Sequence, residues 1–290
     1  MSLTVFPVRN YDLSATLSSG QVFRWRRHPD DTWTGVVQGR WVRLWASASG
    51  LHAGTDSSPP DWLWLRDYLQ VDAPLERITA TFPQDALMQR ALIACQGLRL
   101  LKQEPWECLA SFILSSTKQI AQIEQIVARL ASRFGSPVAT PPGTDNAFAF
   151  PTAAQLAARS EAELRECKMG FRAPYLLAAA RRVAERRLDW GQLAASPLPE
   201  AREQLMDIPG VGRKIADCVL LFTGIFPHAF PVDVWILKVL QRFYFKAQHP
   251  SRRTLMEFTD RYFGPHAGYA QQYLFHFARL GNDLENEHEN

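Results

Sequence analysis

The chain has 290 residues, enough to bury a substantial core and to divide into two domains. Apolar residues make up 47% and charged residues 21%, an ordinary soluble globular composition. The formal net charge of +3 is too weak to announce a polyanion partner, although the acidic final stretch NDLENEHEN masks a more basic body.

The opening MSLTVFPVRNYDLS lacks a basic start followed by a long apolar region. No later segment offers the roughly 20 uncharged apolar residues that a membrane span requires, so a cytoplasmic setting is expected. Up to about residue 85 the chain is aromatic and β-branched, as in TWTGVVQGRWVRLWASASGLHAG, with alternation in WVRLWA and turn residues between runs. This pattern predicts antiparallel strands. From PQDALMQRALIACQGLRLL onward, apolar positions recur three or four apart in every long segment, which predicts helices. The fold class expected is α+β, a small antiparallel β domain over 1–85 followed by a larger all-α domain over 86–290. GSPVATPPGTDNAFAFP, 135–151, reads as a long Pro/Gly-rich loop within the helical part. Cys95, Cys108, Cys167 and Cys218 lack the close spacing of a zinc site or an iron–sulfur cluster. Reduced thiols, no structural metal and no cofactor are expected.

Residues 206–222, MDIPGVGRKIADCVLLF, read as helix, tight turn, helix. Gly210 and Gly212 let the backbone turn and leave the amides around Gly210, Val211 and Gly212 uncovered at the start of the second helix. Such amides, at the positive end of a helix dipole, suit a phosphate and read no base sequence. Those four residues, PGVG, would equally serve as a plain interhelical turn. In the second helix Ile215, Val219 and Phe222 form a core stripe at i, i+4 and i+7, whereas Lys214 lies off that stripe with Cys218 one turn along its own face. Lys214 then reads either as a solvated lysine paired with Asp217 or as an amine nucleophile. Nineteen residues on, in FPVDVWILKVLQRFY, Asp233 stands where a helix N-cap would.

LMDIPGVGRKIADCVLLF…FPVDVW resembles the helix-hairpin-helix and following Gly/Pro…Asp loop of the DNA glycosylase superfamily. LSSGQVFRW at 17–25, LRLLKQEPWECLASFILSS at 98–116, FPTAAQLA at 150–157, KMGFRAPYLLAAARRV at 168–183 and GPHAGYAQQYLF at 264–275 narrow the resemblance to the 8-oxoguanine DNA glycosylases. The resemblance implies double-stranded DNA with a damaged base as partner, and removal of 8-oxoguanine and related oxidised purines by base flipping, a lysine Schiff base and β-elimination. It also implies a nucleoid or nuclear place of action; no protein partner is implied, and a monomer is expected.

By the same resemblance Lys214 is the nucleophile and Asp233 the carboxylate that stabilises positive charge on the sugar. An amine attacks only as the free base. Gly20 would accept the extra N7 proton of 8-oxoguanine through its carbonyl, Cys218 and Phe275 would sandwich the flipped base, Phe222 would close the pocket, and Gln271 would bond the Watson–Crick edge. Each also has an ordinary reading: a turn for Gly20, core for Cys218, Phe222 and Phe275, and a polar helix surface for Gln271 and its neighbour Gln272.

Departures from the family pattern lie mainly opposite the lesion. Where relatives that recognise cytosine carry SSNNNI, this chain has SSTKQI, so Thr117, Lys118 and Gln119 replace three asparagines and Gln122 replaces an arginine. Arg172 keeps the arginine facing the orphaned base, with Phe171 beside it as wedge. Weak discrimination among opposite bases is therefore expected. Trp235 replaces a phosphate-contacting histidine. Two readings remain beside the oxidised-purine enzyme: a non-catalytic helix-hairpin-helix DNA-binding module, and an alkylated-base glycosylase of the same superfamily, against which Lys214 weighs.

Overall fold

A computed structural model of the chain describes residues 1–56, 61–116, 118–246 and 248–281. Five strands form one antiparallel sheet: β1 (Ser2–Phe6), β2 (Arg26–Arg27), β3 (Trp33–Val37), β4 (Arg40–Ser47) and β5 (Gly50–Thr55), in spatial order β1-β5-β4-β3-β2. The alternation in TWTGVV is the reason: Trp33 and Val37 turn inward while Thr34 and Val36 sit at the edge of solvent. β3 pairs with β4 in the register Trp33↔Leu44 and Gly35↔Val42. Leu44, Leu51 and Ala53 then pack on helix Leu63–Leu69, closing one core.

The expectation of strands throughout 1–85 is incomplete. Helices Leu13–Ser18, Leu63–Leu69 and Leu75–Thr79 lie in this stretch, each too short to display a helical period. Leu75, Ile78 and Phe82 join the core of the helical part rather than that of the sheet.

The helical part surrounds the central helices Pro105–Leu114 and Arg213–Phe222, both buried for most of their length. Ser115 and Ser116 turn their hydroxyls back onto Phe112 O and Ile113 O at 2.7 and 3.3 Å. Such bonds compete with a continuing helical ladder, and the chain restarts only at helix Ile120–Phe134. The Pro/Gly-rich stretch carries a small hairpin of β6 (Pro137–Val138) and β7 (Ala147–Phe148). Among the described residues no helix is long and apolar enough to cross a membrane.

The two parts are joined by a buried side chain. Gln21 donates through Nε2 to Thr16 O at 2.9 Å and to Arg99 O at 2.8 Å, and its Oε1 accepts from Leu101 N at 2.8 Å. Its own carbonyl accepts from Gln103 Nε2 at 2.7 Å, while Gln103 N donates to Phe222 O at 2.8 Å. The turn at Ser19–Gly20 is thereby tied through 99–103 to the end of helix Arg213–Phe222. Gln21→Ala leaves these buried backbone groups without partners and is expected to cost about 3 kcal/mol. Urea denaturation checks this, and a loss under about 1 kcal/mol would contradict it.

Candidate active site

Helix Leu198–Met206, the turn at Pro209–Gly212 and helix Arg213–Phe222 form the hairpin. Across it, Arg202 Nε meets Asp217 Oδ1 at 2.7 Å in a buried ion pair, and Arg213 adds a contact to Oδ2 at 3.4 Å. Asp217 is thus occupied, and the simple pairing of Lys214 with it does not form. Lys214 Nζ instead donates to Ser115 Oγ at 3.0 Å and lies 5.4 Å from the centre of the Phe112 ring. That ring is stacked on Phe222 at 5.3 Å.

Asp233 caps helix Val234–Val239, accepting from Ile236 N at 2.8 Å. The cap fixes where the carboxyl points. Burial pushes this carboxyl above the ordinary carboxylate range, while the Ile236 amide and the charge of Lys214 pull it back. Lys214 and Asp233 line one cavity with Gly20, Cys218, Phe222, Gln271 and Phe275; Phe112, Pro231 and Gln272 complete its wall. The free volume is about 50 Å³.

Each wall residue brings a distinct property. Gly20 has φ +78°, and a Cβ there would stand 2.9 Å from Ile120 Cδ1 and 3.3 Å from Phe275 Cε1, so any side chain would obstruct the cavity. The Cys218 thiol is pushed up to about 12 by burial and stays neutral, an apolar sulfur surface rather than a rival nucleophile. Gln271 is buried, and its Oε1 has no hydrogen-bond partner among the described residues. The surface reading of Gln271 and Gln272 is therefore wrong: Gln272 is buried as well, donating to Ser19 O at 2.9 Å and holding the Gly20 turn against the helix.

Around the hairpin turn, Gly210 has φ +81°, and a Cβ there would lie 2.4 Å from Tyr175 Cγ. A Cβ at Gly212 would meet nothing within 4 Å, and the residue supplies an extended N-cap without a side chain, leaving the first helical amides for a ligand. Val211 is buried and its amide donates to Ile208 O at 3.0 Å, so that N–H is committed inside the turn.

Phe171 is 56% exposed on the short turn Gly170–Arg172. Arg172 is buried beneath it, with Nε donating to Ser116 Oγ at 3.2 Å and the guanidinium 4.3 Å from the Phe171 ring centre. Gln122 accepts the Gln119 amide on its Oε1 at 3.3 Å, capping its own helix, and Lys118 is half-buried. Thr117 lies outside the described residues. Trp235 is exposed, with Lys238 Nζ 5.7 Å from its ring centre.

Comparison with known proteins gives this arrangement its kinship. Residues 4–109 match the family model of the 8-oxoguanine DNA glycosylase N-terminal domain, and residues 110–265 match that of the HhH-GPD superfamily base excision DNA repair proteins. The chain belongs to the 8-oxoguanine DNA glycosylase family. Within that family, it is 32% identical over 227 residues to a probable N-glycosylase/DNA lyase of Methanothermobacter thermautotrophicus, covering 71% of each chain. The structure of MBOgg1 in complex with a low affinity DNA ligand is similar at TM-score 0.90 and 30% identity, over 97% of this chain and 99% of that one. The Clostridium acetobutylicum 8-oxoguanine glycosylase/lyase, in complex with dsDNA containing cytosine opposite 8-oxoG, follows at TM-score 0.87 and 28% identity, over 94% and 93%.

Sequence reasoning missed Ser115, which receives the Lys214 amine; Gln21 and Gln272, which hold the Gly20 turn; and Phe112 beneath the amine. A serine pair interrupting a continuous helical period was the one available signal for Ser115.

The raised carboxyl of Asp233 has a stability consequence. An acid whose folded pKa lies above its unfolded value binds its proton more tightly when folded, so it contributes stability below the ordinary carboxylate value of about 4 and costs stability once the pH passes its raised value. Asp233→Asn, which retains a capping oxygen, is expected to raise Tm relative to wild type at about pH 8 and to lose that advantage below about pH 4. Scanning fluorimetry across this range checks it; a Tm difference independent of pH would contradict the assignment.

Proposed function

We propose that the chain excises 8-oxoguanine, and related oxidised purines, from double-stranded DNA and then cleaves the strand as a lyase. The grouping of an amine and a half-buried carboxylate with a sulfur, an aromatic ring and an unpartnered amide around one cavity carries this reading.

The chemistry follows from these groups. A flipped purine would lie between Cys218 and Phe275, with the Gly20 carbonyl accepting its N7–H and Gln271 facing its Watson–Crick edge. Guanine-type bases present N–H donors on that edge, which suits the free Oε1 of Gln271. The Lys214 amine, as free base, forms a bond to the anomeric carbon as the glycosidic C–N bond breaks and its electron pair leaves with the base. The sugar ring then opens to a Schiff base. Loss of a C2′ proton expels the 3′ phosphate by β-elimination. Ionised Asp233 would offset the positive charge that grows on the sugar, and Ser115 would orient the amine before attack.

Phe171 would wedge the stack and Arg172 would turn out toward the opposite base. The Gly210–Gly212 turn would hold a backbone phosphate, with the amides from Gly212 onward as donors. The stretches 1–85 and 86–290 are proposed as the two domains, with the pocket at their junction because Gly20 comes from the first and the other reactive groups from the second. A DNA substrate would put the action in a nucleoid or nucleus.

On a duplex containing 8-oxoguanine, borohydride is expected to trap the wild type covalently, and Lys214→Gln is expected to lose both adduct and excision, by roughly a thousandfold in rate. A variant that excised as fast as wild type would remove Lys214 from the mechanism, and a wild type with neither excision nor adduct would return the chain to a binding module. Excision rates with C, A, G and T opposite the lesion are expected to span less than about tenfold, because the three asparagines and the arginine of the cytosine-recognising pattern are replaced at Thr117, Lys118, Gln119 and Gln122. A strong preference for C would overturn this.

A further inference from the structure

One cation at the mouth of the pocket is not used by the chemistry above. Arg279 ends helix Ala267–Arg279, two turns beyond Gln271 and one beyond Phe275 on the same face. Its guanidinium carbon lies 5.4 Å from the centre of the Phe275 ring. Its Nη1 stands 3.3 Å from where a Gly20 Cβ would project, so the charge sits where the Gly20 turn and Phe275 meet. The residue is exposed at the surface with its side chain partly desolvated, and it makes no ion pair within 4.0 Å among the described residues. Asp233 and Glu124 act on it only through space.

We infer that Arg279 is a positioning residue that binds a backbone phosphate of the flipped nucleotide, and that it does so only after extrusion. This inference rests on the base-flipping reading above. A base stacked on Phe275 with its sugar at Lys214 and Asp233 leaves the adjoining phosphates outside the cavity, at the rim that Arg279 occupies. An arginine already laid on an aromatic ring loses less side-chain freedom when it takes up a phosphate, and its planar fork matches the phosphate oxygens. Nothing at this rim requires contact with an unflipped duplex. In that respect Arg279 differs from the hairpin amides, which face the backbone in either state.

The test measures dissociation constants against salt for two duplexes, one undamaged and one carrying a tetrahydrofuran abasic analogue, which offers an extruded sugar-phosphate without a base. Arg279→Ala is expected to weaken binding of the analogue duplex roughly tenfold and to reduce the magnitude of its salt slope by about 0.9, leaving the undamaged duplex unchanged. Arg279→Lys is expected to keep the slope. An unchanged slope on the analogue, or an equal change on both duplexes, would overturn the inference. Circular dichroism and Tm confirm that the variants are folded. A wild type that binds the analogue no better than the undamaged duplex would overturn the underlying flipping reading instead, so the two failures are distinguishable.

Discussion

A glycine carbonyl from the β part and an amine from the helical part can face the same cavity only if the two parts are held in register, and Gln21 does this. Its side chain meets Thr16 O, Arg99 O and Leu101 N, and its backbone meets Gln103, whose amide reaches the C-terminal end of the lysine-bearing helix. Each bond is to a buried backbone group, where loss of one partner exposes the full cost of desolvating the other. Gln272 adds a second tie to the same turn from the opposite side. The pocket is therefore a property of an interface within one chain, and the geometry at Gly20 depends on Gln21, which lies outside the cavity wall, as well as on Gln272 within it.

The placement of Lys214 and Asp233 depends on a second constraint. Lys214 and Asp233 are brought together on the starts of two helices, where side chains already face unpaired backbone amides. Asp233 spends one oxygen on its own helix and so points its carboxyl in one direction. The Arg202–Asp217–Arg213 cluster beneath the hairpin consumes the nearest other carboxylate. An acid that a sequence reader would pair with Lys214 is thus removed from its reach, and the amine turns to a neutral hydroxyl and an aromatic face.

Much of this was legible from residue order, and the divisions are physical. The strand alternation around WVRLWA, the hairpin glycines and the i, i+4, i+7 stripe gave the sheet, the turn and the correct face for Lys214, because each depends on neighbours a few positions apart. The ties from Gln21, Ser115 and Gln272 span 78, 99 and 253 positions, and no local pattern announces such bonds. Short helices such as Leu75–Thr79 escaped for the opposite reason: one turn of helix contains too little periodicity to separate from loop. Gln271 and Gln272 looked like surface residues because glutamine is usually exposed; only the assembled helix shows both to be enclosed.

The cavity volume of about 50 Å³ holds little more than a water or two. Under the proposed excision reading, a purine would need more room than this, so Phe275 or its neighbours would have to give way. Traffic along undamaged DNA would then proceed with the door shut, and a trial base would have to open it before it could meet the proposed contacts at Gln271 and Gly20. Selection under those terms is a matter of time spent at the threshold as much as of affinity inside: bases that leave the stack rarely never present themselves long enough to be read.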